Sequence, residues 1–148
     1  MKMHINPPLY FVLFLLVIVL VHYGVPLPRL IYPPYRYLGV IGIGFGIFIN
    51  IWADAVFKRR NTTVKPYDRP SELVTAGPFR ISRNPMYLGM FTILSGEAVL
   101  IGSLGVLLMP FIFMLLMKYL FIHCEEKNME ETFGDRYLLY KKNVRRWA

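Results

Sequence analysis

The sequence has little of what disulfide-bonded domains, metal sites and soluble domains require. Its 148 residues contain one cysteine, Cys124, which excludes an internal disulfide and any multi-cysteine metal site. His22 and His123 are too isolated to share a metal ion, so we expect no bound metal. Charged residues make up only 18% of the chain and hydrophobic residues 55%, a balance typical of membrane proteins rather than of soluble domains.

Negative charge is also scarce. The chain has 17 Lys and Arg against 9 Asp and Glu, which gives a formal net charge of +8. No zinc-finger, RNP or basic-helix pattern accompanies these cations, so we do not expect nucleic acid as a partner. The positive-inside rule places the most cationic connection in the cytoplasm. That connection carries Lys58, Arg59, Arg60, Lys65, Arg69, Arg80 and Arg83, against only Asp68 and Glu72.

Four long apolar runs predict four transmembrane helices. The first run would rise about 26 Å as a helix, slightly less than the thickness of a membrane core. A signal peptide is the competing interpretation, but Pro26 and Pro28 follow in place of a small-residue cleavage site. The short, uncharged joint Gly102-Ser103 predicts that the last two helices form an antiparallel hairpin. The predicted spans cover about residues 9–25, 35–57, 85–101 and 104–122.

Two features inside these spans have competing explanations. Gly42 and Gly46 form a small-xxx-small pair suited to close helix contact. A phosphate-binding glycine loop is the alternative, but no strand precedes these glycines and no Lys-Ser/Thr follows them. Glu97 lies inside the third span, where a carboxyl group is costly, and Lys118 is too far along the hairpin to pair with it. Three explanations of Glu97 stay open: it has a function, it is protonated, or it forms a hydrogen bond near the far interface.

The residues after the fourth span predict a cytoplasmic C-terminal segment, 123–148. Gly134 is a predicted helix cap and Asp135 can begin another helix. One face of that helix would carry Tyr137, Tyr140, Val144 and Trp147. An apolar stripe with a basic opposite face is typical of a helix that lies on an anionic membrane surface. We therefore expect an all-α integral membrane protein of one domain, residues 1–148, with four transmembrane helices, a C-terminal amphipathic interfacial helix and both termini in the cytoplasm.

The stretch 71–89 places turn formers, cations and a helix start between two apolar runs. Gly77-Pro78 is a turn pair. Asn84 is the predicted N-cap of the third span and Pro85 its first helical residue. The N–H groups that open this helix point back at the loop and favour anion binding there.

Two motifs in the C-terminal half resemble a known family. LVTAGPFRISRNPMYLG (73–89) and EEKNMEETFGDRYLLYKKNVRRW (125–147) are similar to segments of the isoprenylcysteine carboxyl methyltransferases and the related phospholipid methyltransferases. Those proteins carry Arg-His-Pro-x-Tyr-x-Gly, followed by a Glu-Glu pair and Phe-Gly-x-x-Tyr-x-x-Tyr. The resemblance implies that S-adenosylmethionine binds at the cytoplasmic mouth of the helix bundle, in a loop at 58–84. It also implies that a lipophilic acceptor enters from the bilayer.

The cofactor contacts of that family fall on identifiable residues of this chain, with departures. Asn84 replaces a His, which removes a titratable group but keeps a donor and an acceptor. Phe79 replaces a Tyr, and Ser71 stands where the prenylcysteine enzymes have His. Phe121 stands where they have a substrate-contacting Arg. With Arg83 added on chemical grounds, the candidate cofactor-binding residues are Ser71, Leu73, Val74, Phe79, Arg83, Asn84, Pro85, Met86, Tyr87 and Glu125.

The chemistry of these side chains suits the groups of S-adenosylmethionine. Arg83, Asn84 and the helix N–H groups could meet its carboxylate, and Glu125 could accept from a hydroxyl or an amine. Phe79 and Tyr87 offer flat faces to adenine or to the sulfonium. Each residue also has an ordinary explanation. Arg83 obeys the positive-inside rule, Asn84 caps a helix, Tyr87 marks the interface, and Glu125 is a solvated carboxylate.

Two classes of function are consistent with these patterns. The first is methyl transfer from S-adenosylmethionine to a membrane-embedded acceptor, either a prenylcysteine-type carboxylate or thiol or, alternatively, a phospholipid amine. The catalytic residues are unknown. Glu125 or Glu126 could act as a base for an amine, and Lys118, two α-helical turns before Glu125, could attract an anionic acceptor. The second class is a non-catalytic lipid-binding or partner subunit, which the Phe121 replacement favours. The enzyme hypothesis requires Asn84 and Glu125 to share one cavity.

Overall fold

The described part of the chain is all-helical. A computed structural model describes residues 6–25, 27–60 and 71–148, and these residues form six α-helices and no β-strand. The residues Lys65, Asp68 and Arg69 of the predicted cytoplasmic connection, and Pro26, lie outside the described residues. The helices are α1 (Pro7–Gly24), α2 (Leu38–Arg59), α3 (Pro85–Ile101), α4 (Leu104–Met117), α5 (His123–Phe133) and α6 (Asp135–Asn143).

Short irregular helices extend two of these elements. A 3₁₀ turn, Tyr35–Tyr37, precedes α2, and a second one, Gly77–Arg80, lies in the loop before α3. A π-helical segment, Lys118–Ile122, joins α4 to α5, so that the chain is continuously helical over Leu104–Phe133.

The described residues contain three helical stretches that are long and apolar enough to cross a membrane. They are Pro7–Gly24, Tyr35–Arg59 and Leu104–Phe133. The described residues therefore form an all-helical membrane protein fold, as the sequence predicts. Helix α3 begins and ends where predicted but has only 17 residues, so the fourth span stays a prediction. Helix α3 contacts α1, α2 and α4, which makes it the central helix of the bundle.

Glycines bring α2 and α3 into close contact. A Cβ atom at Gly46 would stand 2.6 Å from the carbonyl oxygen of Gly89, and one at Gly96 would stand 2.8 Å from the backbone nitrogen of Ile43. Contacts that short are not tolerated by real side chains, so only glycine permits this helix separation. Gly42, the other member of the predicted pair, has a looser 3.4 Å contact with the Cα of Gly96. The predicted close contact is therefore confirmed for Gly46.

The predicted hairpin joint between α3 and α4 is confirmed. Gly102 has φ +78°, a left-handed conformation that glycine adopts without strain, and its N–H donates to the carbonyl of Ala98 at 2.8 Å. The N–H of Leu30 donates to Gly102 O at 2.7 Å, and that of Leu104 to Pro28 O at 3.1 Å. The connection after α1 therefore packs against this joint.

The predicted aromatic stripe on the C-terminal helix is wrong. Helix α6 begins at Asp135 after Gly134, whose N–H caps α5 by donating to Glu130 O at 2.9 Å, but it ends at Asn143. Val144 and Trp147 therefore lie beyond the helix. Tyr137 and Tyr140 are buried in the protein, and the exposed apolar residues of α6 are Leu138 and Leu139. Beyond the helix, the carbonyls of Arg145 and Arg146 accept hydrogen bonds from the loop before α3. An interfacial position of α6 stays a prediction.

Candidate functional site

A cavity of about 290 Å³ lies at the end of the bundle where α2 ends and α3 begins. Its wall is formed by the start of α1, the loop before α3, the first turns of α3, α5 and α6. Ser71 is exposed and does not line the cavity, but the other nine candidate residues do. These are Leu73, Val74, Phe79, Arg83, Asn84, Pro85, Met86, Tyr87 and Glu125.

The loop before α3 is held by apolar packing and by a buried hydrogen bond from α6, among others. Gly77 has φ +60°, which confirms the predicted turn, and the following 3₁₀ turn directs Phe79 into an apolar cluster. The Phe79 ring meets the Phe57 ring edge-on, with centroids 5.0 Å apart. The hydroxyl of Tyr140 donates to the Phe79 carbonyl at 2.6 Å. Helix α6 therefore holds the loop against the end of α2.

Asn84 occupies the predicted N-cap position but its side chain makes no capping hydrogen bond. Its Nδ2 donates instead to the carbonyl of Arg146 at 3.4 Å, and its backbone N–H donates to Ser82 Oγ at 3.1 Å. Pro85 is the first residue of α3, as predicted, and it lines the cavity together with Met86 and Tyr87. The opening turn of α3 therefore forms part of the cavity wall.

Glu125 and Tyr87 join two helices across the cavity. The Tyr87 hydroxyl donates to Glu125 Oε1 at 2.7 Å. Both residues line the cavity, so this hydrogen bond connects the first turn of α3 to the first turn of α5. Asn84 and Glu125 thus face one hollow, which is the arrangement that the enzyme hypothesis requires.

A second acid, Glu126, forms a buried cluster with two arginines. Arg146 donates from Nε and Nη2 to Glu126 Oε1 and Oε2 at 3.0 and 2.6 Å. Nη2 of Arg83 lies 3.4 Å from Glu126 Oε1, and both of these side chains are only 8% exposed. The remaining Nε and Nη1 of Arg83 are buried and have no hydrogen-bond partner within the described protein. Buried donors on a cation are costly unless paired, so this guanidinium is suited to an anionic group of a ligand.

Two tyrosines of α6 complete the wall beside this cluster. Burial, and next the negative charge of Glu126, raises the pKa of Tyr137 to about 12. Burial also raises the pKa of Tyr140. Both phenols therefore stay protonated at neutral pH and keep their hydroxyl donors. The hydrogen bonds to Glu126 raise the pKa of Arg146, so the Arg146 guanidinium stays charged.

Lys118 and Phe121 are not brought to the cavity. Lys118 lies with its Nζ 5.5 Å from the ring centroid of Tyr119, and Phe121 is buried against Tyr10 with centroids 5.6 Å apart. The π-helical segment explains why Lys118 misses Glu125. An i→i+5 turn holds more residues than an α-helical turn, so the predicted alignment two α-helical turns apart does not hold. Glu97 is also remote from the cavity wall, and its Oε2 is buried without a hydrogen-bond partner in the described protein.

Sequence reasoning missed Arg146 and the tyrosines of α6. Arg146 is not among the candidate residues, and the sequence predicts Tyr137 and Tyr140 only on a membrane-facing stripe. The available signal was the Tyr-x-x-Tyr spacing after the acid pair, because residues three apart on a helix share a face. No signal in the sequence pairs Arg146 with Glu126, since the pairing depends on the chain turning back after Asn143.

Comparison with known proteins identifies the class and then the family. The phospholipid methyltransferase family matches residues 35–136, which run from α2 through α5 to the start of α6. The helical membrane fold and this match define a membrane methyltransferase. The chain belongs to the phospholipid methyltransferase family, which includes the isoprenylcysteine carboxyl methyltransferases.

One relative shows how much of the chain is similar to another protein, but its name gives no function. An uncharacterized protein of Haemophilus influenzae is 39% identical over 62 residues, which are 42% of this chain and 98% of that protein. No solved structure matches the chain.

Proposed function

We propose that the protein transfers the methyl group of S-adenosylmethionine to a lipophilic acceptor held in the membrane. The observation that carries this proposal is the shared cavity of Asn84 and Glu125. These residues come from two separate family motifs, and the Tyr87–Glu125 hydrogen bond joins the motifs across that cavity. Family membership supports the methyl transfer itself.

The residues around the cavity fit the charged end of the cofactor. Arg83 offers two buried, unpartnered N–H groups, and the first turn of α3 adds its own N–H groups and the positive end of its dipole. A carboxylate placed between them would accept charge-assisted hydrogen bonds from both sides. The amino-acid end of S-adenosylmethionine carries such a carboxylate.

The remaining wall fits the nucleoside and the acceptor. Phe79 and Tyr87 present aromatic faces to adenine, and Glu125 can accept a hydrogen bond from a ribose hydroxyl or an amine. A volume of about 290 Å³ is near the lower end of the roughly 300–1,000 Å³ typical of ligand pockets. Three methionines in the wall, Met86, Met90 and Met129, add an adaptable apolar surface for a lipid chain.

The residues of the chain orient the cofactor and the acceptor and exclude water from the cavity. When bound, the cofactor would supply a methyl group on a sulfonium: the acceptor would attack the methyl carbon in line as the carbon–sulfur bond breaks, and S-adenosylhomocysteine would leave. Arg83 and the start of α3 fix the carboxylate end, and Tyr87 fixes Glu125 in one position. Holding both reactants in line and shielding them from water lowers the barrier without a dedicated catalytic group.

The acceptor is proposed to be a prenylcysteine-type carboxylate or a thiol, either of which attacks as an anion and needs no strong base. A phospholipid amine is the second candidate, and the apolar, remote Phe121 favours it by removing the cation that a carboxylate would use. An ammonium group must first lose a proton, and Glu125 is the base within the wall. Glu126 is the poorer base because Arg146 already occupies both of its oxygens.

We also propose that the cavity faces the cytoplasm, in the inner or cell membrane, with both termini on that side. Lys58, Arg59 and Arg60 end α2 close to the cavity residue Phe57. The positive-inside rule assigns this end of the bundle to the cytoplasm.

Calorimetric titration of the detergent-solubilised protein with S-adenosylhomocysteine tests cofactor binding. We expect micromolar binding that is lost in Glu125→Ala. The matched control is Glu131→Ala, an exposed acid of the same helix that pairs with Lys127 at 3.8 Å, and it should bind as the wild type does. The absence of heat from the wild-type protein would instead favour a non-catalytic lipid-binding or partner subunit. Membranes incubated with methyl-labelled cofactor would then identify the acceptor.

A further inference from the structure

The C-terminal tail beyond α6 is bonded to the loop that precedes α3. The N–H of Arg83 donates to the carbonyl of Arg145 at 3.0 Å. Ser82 Oγ and Asn84 Nδ2 donate to the carbonyl of Arg146 at 3.0 and 3.4 Å. Three consecutive loop residues are therefore held by two consecutive tail residues. This tail lies outside residues 35–136, the region that the family match covers.

The side chain of Arg146 makes the tail part of the buried charge cluster. Glu126 receives both hydrogen bonds of the Arg146 fork, at 3.0 and 2.6 Å, while Arg83 approaches the same carboxylate only at 3.4 Å. The three side chains together carry two positive charges and one negative charge. A partly buried cluster with a formal positive charge favours an additional anion beside it.

The two hydrogen bonds of Arg146 to Glu126 affect which N–H donors of Arg83 are available to a ligand. Arg146 bonds to both oxygens of Glu126, Arg83 meets that carboxylate through Nη2 alone, and the Nε and Nη1 groups of Arg83 have no hydrogen-bond partner among the described residues. Without Arg146, Glu126 would be a buried carboxylate with Arg83 as its remaining cation in the described protein. An uncompensated buried charge is strongly unfavourable, so the Arg83 guanidinium would turn to Glu126 and its N–H groups would be consumed there.

We propose that Arg146 is a positioning residue, which occupies Glu126 and so keeps the Arg83 guanidinium available for the carboxylate of the cofactor. The inference rests on the proposed function, because it names the subsite that binds one part of that cofactor. Arg146 itself touches Glu126 and does not line the cavity. Its effect on binding is therefore indirect and specific to one ligand group.

The test compares two ligands by calorimetric titration of the solubilised full-length protein. S-adenosylhomocysteine carries the carboxylate, whereas decarboxylated S-adenosylhomocysteine keeps the amine and the nucleoside and lacks only that group. We expect Arg146→Met to lower the affinity for the first ligand about tenfold or more, the order of loss that removal of a supporting partner causes at metal sites. The affinity for the second ligand should not change. Lys142→Met, which removes an exposed cation near the end of α6, should change neither.

A double variant tests the competition directly. In Arg146→Met/Glu126→Gln the carboxylate that would capture Arg83 is neutral, so we expect much of the lost affinity for S-adenosylhomocysteine to return. Arg146→Lys keeps a point charge without the bidentate fork, so its loss should be intermediate. If Arg146→Met does not fold, the same two-ligand comparison on Arg146→Lys decides the question.

The outcomes separate this inference from the proposed function. Equal losses for both ligands, or no recovery in the double variant, would overturn the positioning role and leave the tail as a structural support only. Wild-type affinity of Arg146→Met for S-adenosylhomocysteine would overturn it as well. A wild-type protein that binds neither ligand would overturn the proposed function, and this inference with it.

Discussion

Helix α3 has two contrasting surroundings: along its length it packs against α2, and at its start it borders the cavity. Along its length it meets α2 through Gly46, Gly89 and Gly96, where the backbones approach closely. At its start it borders the cavity, where Arg83 and Glu126 are buried as charges. The first contact is specified by shape and the second by charge. Changes of volume should therefore affect the α2–α3 contact, and changes of charge should affect the cavity.

The largest effect should come from removing the central acid of the cluster. Glu126→Ala leaves Arg83 buried without its carboxylate and removes both hydrogen bonds of Arg146. Removal of one partner from a buried ion pair typically costs about 3–5 kcal/mol. Because the Arg146 side chain is 30% exposed, we expect a loss near the lower end of that range.

Thermal unfolding of the detergent-solubilised protein measures this loss, and Glu131→Ala, at an exposed position, is the control. If the unfolding midpoint of Glu126→Ala is as high as that of the control, the charged cluster does not stabilise the protein. The start of α3 would then not be specified by charge.

A smaller loss should follow from one added methyl group in the α2–α3 contact. In Gly46→Ala the new Cβ would stand 2.6 Å from Gly89 O and 2.7 Å from Ile93 Cγ1, so one helix must move. Overpacking of this kind typically costs about 1–3 kcal/mol. Gly44→Ala is the matched control, since a Cβ at Gly44 meets no atom within 4 Å outside its own stretch of helix.

Thermal unfolding of both glycine variants distinguishes packing from helix propensity, because alanine favours a helix equally at the two sites. Equal midpoints for Gly46→Ala and Gly44→Ala would contradict the close approach of the helices. The affinity of folded Gly46→Ala for S-adenosylhomocysteine sharpens the comparison further, since we expect it to stay near that of the wild type.

An effect that is absent at neutral pH and appears only at alkaline pH concerns the cavity wall. Burial raises the pKa of Tyr137 from 10.0 to about 12 in the folded protein. The unfolded chain therefore loses this proton first, and the free energy of unfolding falls as the pH rises from about 10 to about 12. Below about pH 10 both states keep the proton and the stability contributed by this group is fully present.

Tyr137→Phe removes this titration, so its unfolding midpoint should fall less steeply than that of the wild type over the same pH interval. The largest possible difference in slope for one group is about 1.4 kcal/mol per pH unit. Parallel pH profiles for the two proteins would contradict the burial of the Tyr137 hydroxyl.

Much of the cavity wall follows from local sequence order, as the loop and the start of α3 illustrate. Leu73 to Tyr87 occur within one short stretch, so a turn at Gly77 and a helix start at Pro85 bring them together. Lys118 could not be placed in the same way. Its predicted alignment with Glu125 assumes regular α-helix, and the π-helical segment between them changes the spacing of the faces.

The sequence alone determined the four apolar stretches that form α1 to α4 and the hairpin joint at Gly102. Helical hydrogen bonds join residues four apart and hydropathy is a property of each residue, so both can be read locally. Only the tertiary structure decided that Gly46 meets Gly89 and that Arg146 occupies Glu126 while Arg83 keeps unpartnered N–H groups. Such contacts depend on which surfaces distant segments present to each other, and many pairings of these charges are equally compatible with the same order of residues.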